Sequence, residues 1–210
     1  MQKQRARTDA EKEFRRRKIL DAARSVFAEF GFQGTKISMI TQKASLSPAA
    51  FYLYFKNKVE AYRTLSIDGT ALLSAKIHSA LESKTDDYTG QIEAMAHAYF
   101  SFFEEEREYY DIITVHHLGQ RDFFEDLDLV ANLEEQSLSL LSVLSSIIQK
   151  GMETGEFKTL DPWKTAATLW GMMDGVLLME VRQSTSYIDL DIKTLSHHFL
   201  ALALSALKAR

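Results

Sequence analysis

Cysteine is absent from this 210-residue chain, and proline occurs only twice. The lack of cysteine excludes disulfide bonds, thiolate catalysis and cysteine-ligated zinc. Two prolines and nine glycines impose few breaks on regular structure, and no run of alternating apolar and polar residues predicts a strand. The composition therefore predicts an all-α protein, in which 46% hydrophobic residues are sufficient to form a core.

Long apolar segments are missing as well. The longest apolar stretch, residues 169–179, contains Asp174 and is far shorter than a membrane span. The chain begins with a basic, polar segment rather than with the apolar core of an export signal. We therefore expect a cytoplasmic protein without a membrane segment.

The sequence also lacks the common catalytic motifs. It contains no phosphate-binding loop of the GxxxxGK type, no GxGxxG and no GxSxG. The six histidines include two adjacent pairs, but neighbouring side chains on a helix point about 100° apart, so neither pair directs both rings at one ion. We expect no cofactor, no metal site and no enzymatic activity. An enzyme stays an alternative that substrate turnover would support.

Charge is distributed unevenly along the chain. The first 63 residues carry 14 lysines and arginines against 6 aspartates and glutamates, a formal net charge of +8. Residues 64–210 carry 11 against 23, a formal net charge of −12. A basic segment suits binding to DNA phosphates, although a basic surface can also be merely solvated.

Residues 34–58, GTKISMITQKASLSPAAFYLYFKNK, predict two short helices joined by a tight turn. Thr35 is expected to cap the first helix, which ends near Lys43. Ser47 is expected to cap the second, with Pro48 at its first position, because that position needs no N–H donor. Two short helices joined in this way form a helix-turn-helix, whose second helix fits the major groove of DNA.

A longer segment around this motif, residues 19–65, reads ILDAARSVFAEFGFQGTKISMITQKASLSPAAFYLYFKNKVEAYRTL. It resembles the N-terminal domain of the TetR (tetracycline-repressor-like) family of bacterial transcriptional regulators. The matching positions are Ile19, Ala22, Ala23, Phe27, Gly31, Phe32, Thr35, Ile37, Ile40, Ala44, Ser47, Tyr52, Tyr54, Phe55 and Lys58. Thr41, Ser45 and Ala49 depart from the family's usual residues, and Ser45 places a side chain at a turn position that favours positive φ.

The resemblance implies about nine helices in two domains. Residues 9–65 would form a three-helix DNA-binding domain, and residues 66–210 a ligand-binding and dimerisation domain. The DNA partner would be a palindromic double-stranded operator. The candidate DNA-binding residues are Thr35, Lys36, Ser38, Ser47, Pro48, Ala49, Ala50, Tyr52, Leu53, Tyr54 and Lys58.

These candidates have different expected roles. Lys36, Tyr54 and Lys58 are expected to contact phosphates. Proline, alanine and leucine side chains offer no hydrogen bonds, so the start of the second helix is expected to read bases through apolar contacts and Tyr52.

Aromatic residues are concentrated between residues 99 and 124, which hold eight of the chain's 23. An apolar cavity with a few polar groups is the usual composition of a small-molecule site, although such aromatics also form ordinary cores. Asp174 is costly to bury in its apolar helix unless it is paired. The candidate ligand-binding residues are His97, Tyr99, Phe100, Phe103, Arg107, Tyr110, His117, Phe124, Trp170 and Asp174.

The two C-terminal helices are candidates for a dimer interface. The final helix is apolar on more than one side, and such a helix must be covered by another element. The glycines at 171 and 175 leave a smooth patch for a second helix, although packing within one chain is the alternative. The candidate interface residues are Trp163, Gly171, Gly175, Leu195, Phe199 and Leu202.

Together these features predict a homodimeric, DNA-binding transcriptional regulator that responds to a small apolar or amphipathic effector. We expect a repressor that the effector releases from its operator. A protein-interaction adaptor with a degenerate helix-turn-helix is the alternative, and loss of DNA binding at low salt would support it.

Overall fold

The structure, a computed structural model, describes residues 2–82, 87–117, 127–183 and 185–209. Side chains are described for these residues except at 2–8, 115–117, 127–134, 136 and 186. Ten α-helices occur in this part of the chain, namely α1 (Gln2–Gly34), α2 (Ile37–Lys43), α3 (Pro48–Tyr52), α4 (Lys58–Leu81), α5 (Tyr88–Glu105), α6 (Arg107–His117), α7 (Leu127–Glu153), α8 (Pro162–Val181), α9 (Thr185–Ile188) and α10 (Ile192–Leu207). The predicted all-α class is confirmed, and without the four-residue α9 the predicted number of helices remains.

The described helices belong to two compact units. The first contains residues 1–71 and 106–133, and the second contains residues 72–105 and 134–210. The sequence predicts a single boundary near residue 65. The compact units instead alternate along the chain, because the segment that carries α6 belongs to the first unit.

Three close contacts hold α6 in the first unit. Arg24 on α1 donates from Nε to Oε2 of Glu108 over 2.9 Å. The buried Tyr62 hydroxyl of α4 donates to a backbone carbonyl of α6 over 2.7 Å, and burial raises the pKa of Tyr62. A Cβ atom at Gly69 of α4 would lie only 2.9 Å from the Tyr109 ring, so the close approach of α4 and α6 requires glycine.

The core of the second unit lies between α5, α7, α8 and α10. Phe102, Ile148 and Leu177 are fully buried there. Phe157 follows α7 and packs its ring against Gly151, where any side chain would clash. Its backbone forms an isolated antiparallel bridge with Lys208, so the end of α10 is attached to the end of α7.

Side-chain caps begin several of the helices. Ser47 accepts from the Ala50 N–H over 3.3 Å, which confirms its predicted cap, and Asp161 accepts from the Lys164 N–H over 3.0 Å at the start of α8. The predicted Thr35 cap is wrong. The residue before α2 is Lys36, which makes no side-chain cap hydrogen bond. The Thr35 hydroxyl instead donates to the Gly31 carbonyl of α1.

Gly31 interrupts the helical geometry of α1 near its end, with φ 67° and ψ 171°. Glycine adopts such positive φ values readily. The chain then makes one further turn to Gly34. At the other end α1 begins at Gln2, before the predicted start of the DNA-binding domain at residue 9.

Candidate nucleic-acid interface and apolar cleft

The turn between α2 and α3 is closed by its own backbone. The Leu46 N–H donates to the Thr41 carbonyl over 2.9 Å, and Ser45 adopts φ 53°, the left-handed conformation expected at this position. Ile40 and Phe51 are fully buried and fix the two helices to each other. The predicted helix-turn-helix is therefore present in the first unit.

The outer side of α3 is open to solvent. Tyr52 is 58% exposed and Leu53 is 80% exposed, and Pro48 and Ala49 are exposed as well. Ala50 is half-buried. The Tyr52 ring rests edge-on against Phe51, with ring centres 5.7 Å apart. A short helix whose outer side is uncovered can approach a groove of DNA.

Thr35 and Lys58 are used inside the first unit. The buried Thr35 hydroxyl donates to the Gly31 carbonyl over 2.7 Å. The Lys58 ammonium donates to the carbonyls of Phe32 and Thr35 over 2.8 and 3.0 Å, and it lies 4.5 Å from the centre of the Phe32 ring. Burial lowers the pKa of Lys58. These contacts tie the start of α4 to the connection between α1 and α2.

The remaining DNA-binding candidates lie beside α3. Lys36 and Ser38 are exposed at the start of α2, and Tyr54 is half-buried after α3. Gln42, a polar residue of α2 outside the candidate list, is exposed as well. Lys36 can reach a phosphate without breaking a structural contact of the kind that Lys58 makes. The exposure of these side chains does not test whether they contact DNA, so each assignment stays a prediction.

The second unit contains a narrow apolar cleft. It has a volume of about 20 Å³, which is room for about one water molecule. An acyl or aromatic ligand therefore needs the cleft to widen. The cleft is lined by Ile92, Met95, Ala96, Leu144, Leu169, Trp170, Met173, Phe199, Leu200 and Ala203.

Three of the predicted ligand residues lie next to this cleft. Trp170 lines it, and the buried Tyr99 ring packs on Trp170 with centres 5.2 Å apart. The Tyr99 hydroxyl donates to Oδ1 of the half-buried Asp174 over 2.6 Å. The acid in the apolar helix is thus paired with a hydrogen-bond donor, as its burial requires.

The other predicted ligand residues whose side chains are described do not line the cleft. Phe103 is buried and does not line the cleft, while Phe100 contacts Phe199 with ring centres 6.2 Å apart. His97 is exposed, with its ring centre 6.3 Å from that of His197.

The last predicted ligand residues fall within residues 106–133, the second segment of the first unit. Arg107 donates to Asp111 over 2.9 Å, and Tyr110 is buried. The His117 side chain and Phe124 lie outside the described residues.

Aliphatic lining residues were missed because aromatic density drew the prediction to residues 99–124. Met95 and Ala96 do lie on the inward face that helical spacing gives α5. Leu144 on α7 and Leu200 on α10 come from helices far apart in sequence. Their meeting at one cleft depends on helix packing, which no local pattern encodes.

An exposed apolar surface runs along α8 and α10. Trp163, Met172 and Leu202 are 46%, 43% and 51% exposed. Gly171 and Gly175 are exposed, and a Cβ atom at either would meet no heavy atom within 4 Å. Contiguous exposed apolar patches of this kind mark interaction surfaces.

Two of the predicted interface residues differ from the rest. Phe199 lies in the interior, because it lines the cleft, and Leu195 is half-buried. The prediction for Phe199 follows from reading α10 as one broad stripe, whereas the structure separates a buried side from an exposed one. Leu202 and Ala206 share the exposed side.

Two further classes of site were searched within the described residues. No group of three or more histidine, cysteine, aspartate or glutamate residues is placed to hold a metal ion. No helix in this part of the chain has both the length and the apolar character to cross a membrane.

Comparisons with known proteins agree with the helix-turn-helix geometry. Residues 19–61 match the model of the tetR family of bacterial regulatory proteins. The chain is 25% identical over 190 residues to the fatty acid metabolism regulator protein of Bacillus subtilis, with 90% of this chain and 93% of that protein covered.

Solved structures show the same fold. A regulatory protein in the tetR family from Rhodococcus RHA1 superposes with a TM-score of 0.77 at 20% identity, covering 93% of this chain and 98% of that chain. The transcriptional regulator FadR of Bacillus subtilis, solved in complex with stearoyl-CoA, gives a TM-score of 0.69 at 22% identity, covering 90% and 97%. Residues 19–61, which contain the helix-turn-helix, match the tetR family of bacterial regulatory proteins, and the chain is a DNA-binding transcriptional regulator.

Proposed function

We propose that this protein is a homodimeric repressor that long-chain acyl compounds release from a palindromic operator. The observation that supports the effector part is the narrow cleft of the second unit, whose described lining residues are all apolar. Apolar pockets select ligands by buried apolar area. A compound with a long hydrocarbon chain fits such a lining better than a small polar metabolite does.

The similar proteins support an acyl effector. One curated relative is named a fatty acid metabolism regulator, and one solved neighbour holds stearoyl-CoA. We propose that the hydrocarbon chain occupies the cleft and that the anionic head group stays outside it. The Asp174 carboxylate beside Trp170 would repel a second anion at that end of the cleft.

The effector must favour one of two protein conformations to change DNA binding. A ligand with equal affinity for both states shifts neither population. We propose that α4 carries the change, since it is one continuous helix with residues 58–71 in the first unit and 72–81 in the second. Its residues Leu73 and Ile77 are buried in the second unit, so widening of the core there would displace the helix.

Two copies are needed to read a palindrome. Recognition helices of a dimer must sit about one helical turn of DNA apart. We propose that the exposed apolar surface of α8 and α10 is buried between two copies, and that the spacing of their recognition helices changes when the cleft is filled. A change in this spacing would lower operator affinity.

The test is operator release by acyl-CoA of increasing chain length, with coenzyme A alone as the control. The full-length protein is bound to a duplex enriched from random DNA by in vitro selection. We expect long acyl chains to release the duplex and to raise the melting temperature of the free protein, because ligand binding stabilises the folded state.

Two variants on α5 form a matched pair for this experiment. Met95 lines the cleft, whereas Phe103 is buried on the same helix and does not. Met95→Ala should change the acyl chain length that releases the duplex most effectively. Phe103→Ala should lower the stability of the protein and leave the dependence of release on acyl chain length unchanged. Equal profiles in both variants would show that the acyl chain binds elsewhere. Failure to bind any duplex at low salt would instead support the adaptor function.

A further inference from the structure

The exposed side of α3 is almost entirely apolar. Ala49, Tyr52 and Leu53 stand at i, i+3 and i+4 spacing and therefore share one side of the helix. Phe51 points to the opposite side and is fully buried. We call Pro48, Ala49, Tyr52 and Leu53 the reading face. Within residues 47–54, all of which are described, its one hydrogen-bonding side chain is that of Tyr52.

Two hydroxyl groups near the reading face form hydrogen bonds with the protein's own backbone. The Ser47 hydroxyl accepts from the Ala50 N–H as the cap of α3. Thr35 is 2% exposed and donates to the Gly31 carbonyl. The Ser47 hydroxyl keeps its O–H donor, but Ser47 precedes α3, and the α3 side chains other than Tyr52 carry no hydrogen-bonding group. Hydrogen-bonded reading of bases by α3 is therefore confined to Tyr52.

An exposed apolar side chain on a DNA-binding helix has one apolar target in the major groove. The thymine C5-methyl group is that target, whereas cytosine presents an amino group and the purines present acceptors and donors. Leu53 is 80% exposed, so its apolar surface is available to such a contact. The Tyr52 ring is held in place against Phe51, 5.7 Å away, and offers a second apolar surface beside Leu53.

Charge supports DNA as the occupant of this face. Lys36, Lys43 and Lys56 are exposed around the helix-turn-helix, and the first 63 residues carry a formal net charge of +8. Lysine contacts with phosphates position a protein on the duplex without reading its sequence. The apolar reading face can then add sequence preference that the phosphate contacts lack.

We propose that Leu53 and its neighbours on the reading face select the operator by contact with thymine methyl groups. The proposal rests on the proposed DNA-binding function and makes thymine, rather than guanine, the base that α3 specifies. It also makes Leu53 a specificity-determining residue. The consequence is that operator affinity depends on single methyl groups that can be removed without changing base pairing.

The experiment replaces thymine by deoxyuridine in the selected duplex, one position at a time. Full-length protein should bind about fourfold more weakly for each contacted methyl that is removed, the factor expected for one buried carbon group. Deoxyuridine in the flanking sequence is the DNA control. Leu53→Ala should bind the unmodified duplex more weakly and lose its sensitivity to deoxyuridine at one or more of the sensitive positions, those whose methyl group Leu53 contacts, because the two changes remove the same contact.

A matched protein control comes from α2. Gln42 is exposed and carries a hydrogen-bonding amide, so Gln42→Ala should keep the full deoxyuridine effect. Equal melting temperatures of the three proteins would show that folding is unchanged, as expected for exposed positions. Sensitivity to deoxyuridine that persists at every sensitive position in Leu53→Ala, or tight binding with no deoxyuridine effect at any position, would overturn the proposal. Absence of binding to any selected duplex would instead contradict the proposed function itself.

Discussion

Lys58 illustrates a charged side chain whose position in the fold changes its expected role. Its ammonium group donates to two backbone carbonyls at the junction of α1 and α2. Hydrogen bonds to a charged group typically contribute about 1.5–3 kcal/mol to stability. We predict that Lys58→Met lowers the melting temperature and leaves the salt dependence of DNA binding nearly unchanged.

Lys36→Ala is the comparison for this prediction. Lys36 is exposed beside α2, so its removal should leave the melting temperature unchanged and flatten the slope of log affinity against log salt by about one unit. Binding titrations at several salt concentrations measure both slopes. A flattened slope for Lys58→Met at full stability would restore the original phosphate assignment.

The Asp161 carboxylate, which caps α8, makes the stability of the folded protein depend on pH. The backbone N–H of Lys164, at the start of α8, lowers the pKa of the Asp161 carboxyl. The folded state therefore favours the deprotonated form. This stabilisation is fully present above the unfolded-state pKa of about 3.9 and is lost as pH falls through the lower folded-state pKa.

We predict that Asp161→Asn keeps the cap but loses this part of the pH dependence, because asparagine also accepts the N–H bond. Melting temperatures of both proteins should be measured between pH 3 and 7. At neutral pH the wild-type protein should melt at a higher temperature than Asp161→Asn, and the difference between the two melting temperatures should narrow below pH 4. Asp191 caps α10 in the same way, so Asp191→Asn should behave alike. A gap that stays constant with pH would contradict the role assigned to the carboxylate charge.

Structural features whose interacting residues lie close together in the sequence could be predicted from it. Contacts between residues far apart in the sequence could not. Ser47 and Asp161 lie next to the N–H groups that they cap, so sequence spacing was sufficient. The attachment of α6 to the first unit depends on Arg24 and Glu108, which are 84 residues apart. Thr35 could satisfy either the next helix or the previous one, and only the folded chain shows that its hydroxyl bonds to Gly31.

The two candidate sites differ in the same way in how far the sequence predicts them. The helix-turn-helix was predictable because its turn, cap and small core all lie within one short segment. The cleft was predicted only in part, since Trp170 and Asp174 stood out while the aliphatic lining did not. Aliphatic residues have similar helical spacing whether they fill a core or line a cavity, so their sequence pattern does not separate the two.

At the scale of the whole molecule, we predict that Gly175→Leu dissociates the proposed homodimer. Gly175 is exposed, and a Cβ atom added there would meet no neighbouring side chain or other helix within 4 Å, so we expect the single chain to fold with leucine at this position. It would prevent a second helix from approaching the smooth surface of α8. Gly175→Ala adds less volume and should weaken association to a smaller extent.

Sedimentation of the full-length proteins at several concentrations measures the association. Far-ultraviolet circular dichroism should show equal helix content in all three proteins. The dissociated variant should also bind a half-site as well as it binds the full palindrome, because two linked half-sites no longer assist each other. An undisturbed dimer in Gly175→Leu would place the interface on another surface.

The narrowness of the cleft has a consequence for the time course of induction. A cavity with room for about one water molecule cannot admit an acyl chain until the helices around it have moved apart. Opening then precedes entry, and at high effector concentration the observed association rate should reach a plateau equal to the opening rate. Met95→Ala should raise that plateau, and stopped-flow mixing can record it. The delay before transcription begins would then be set by the protein's own opening rate, however abundant the effector becomes.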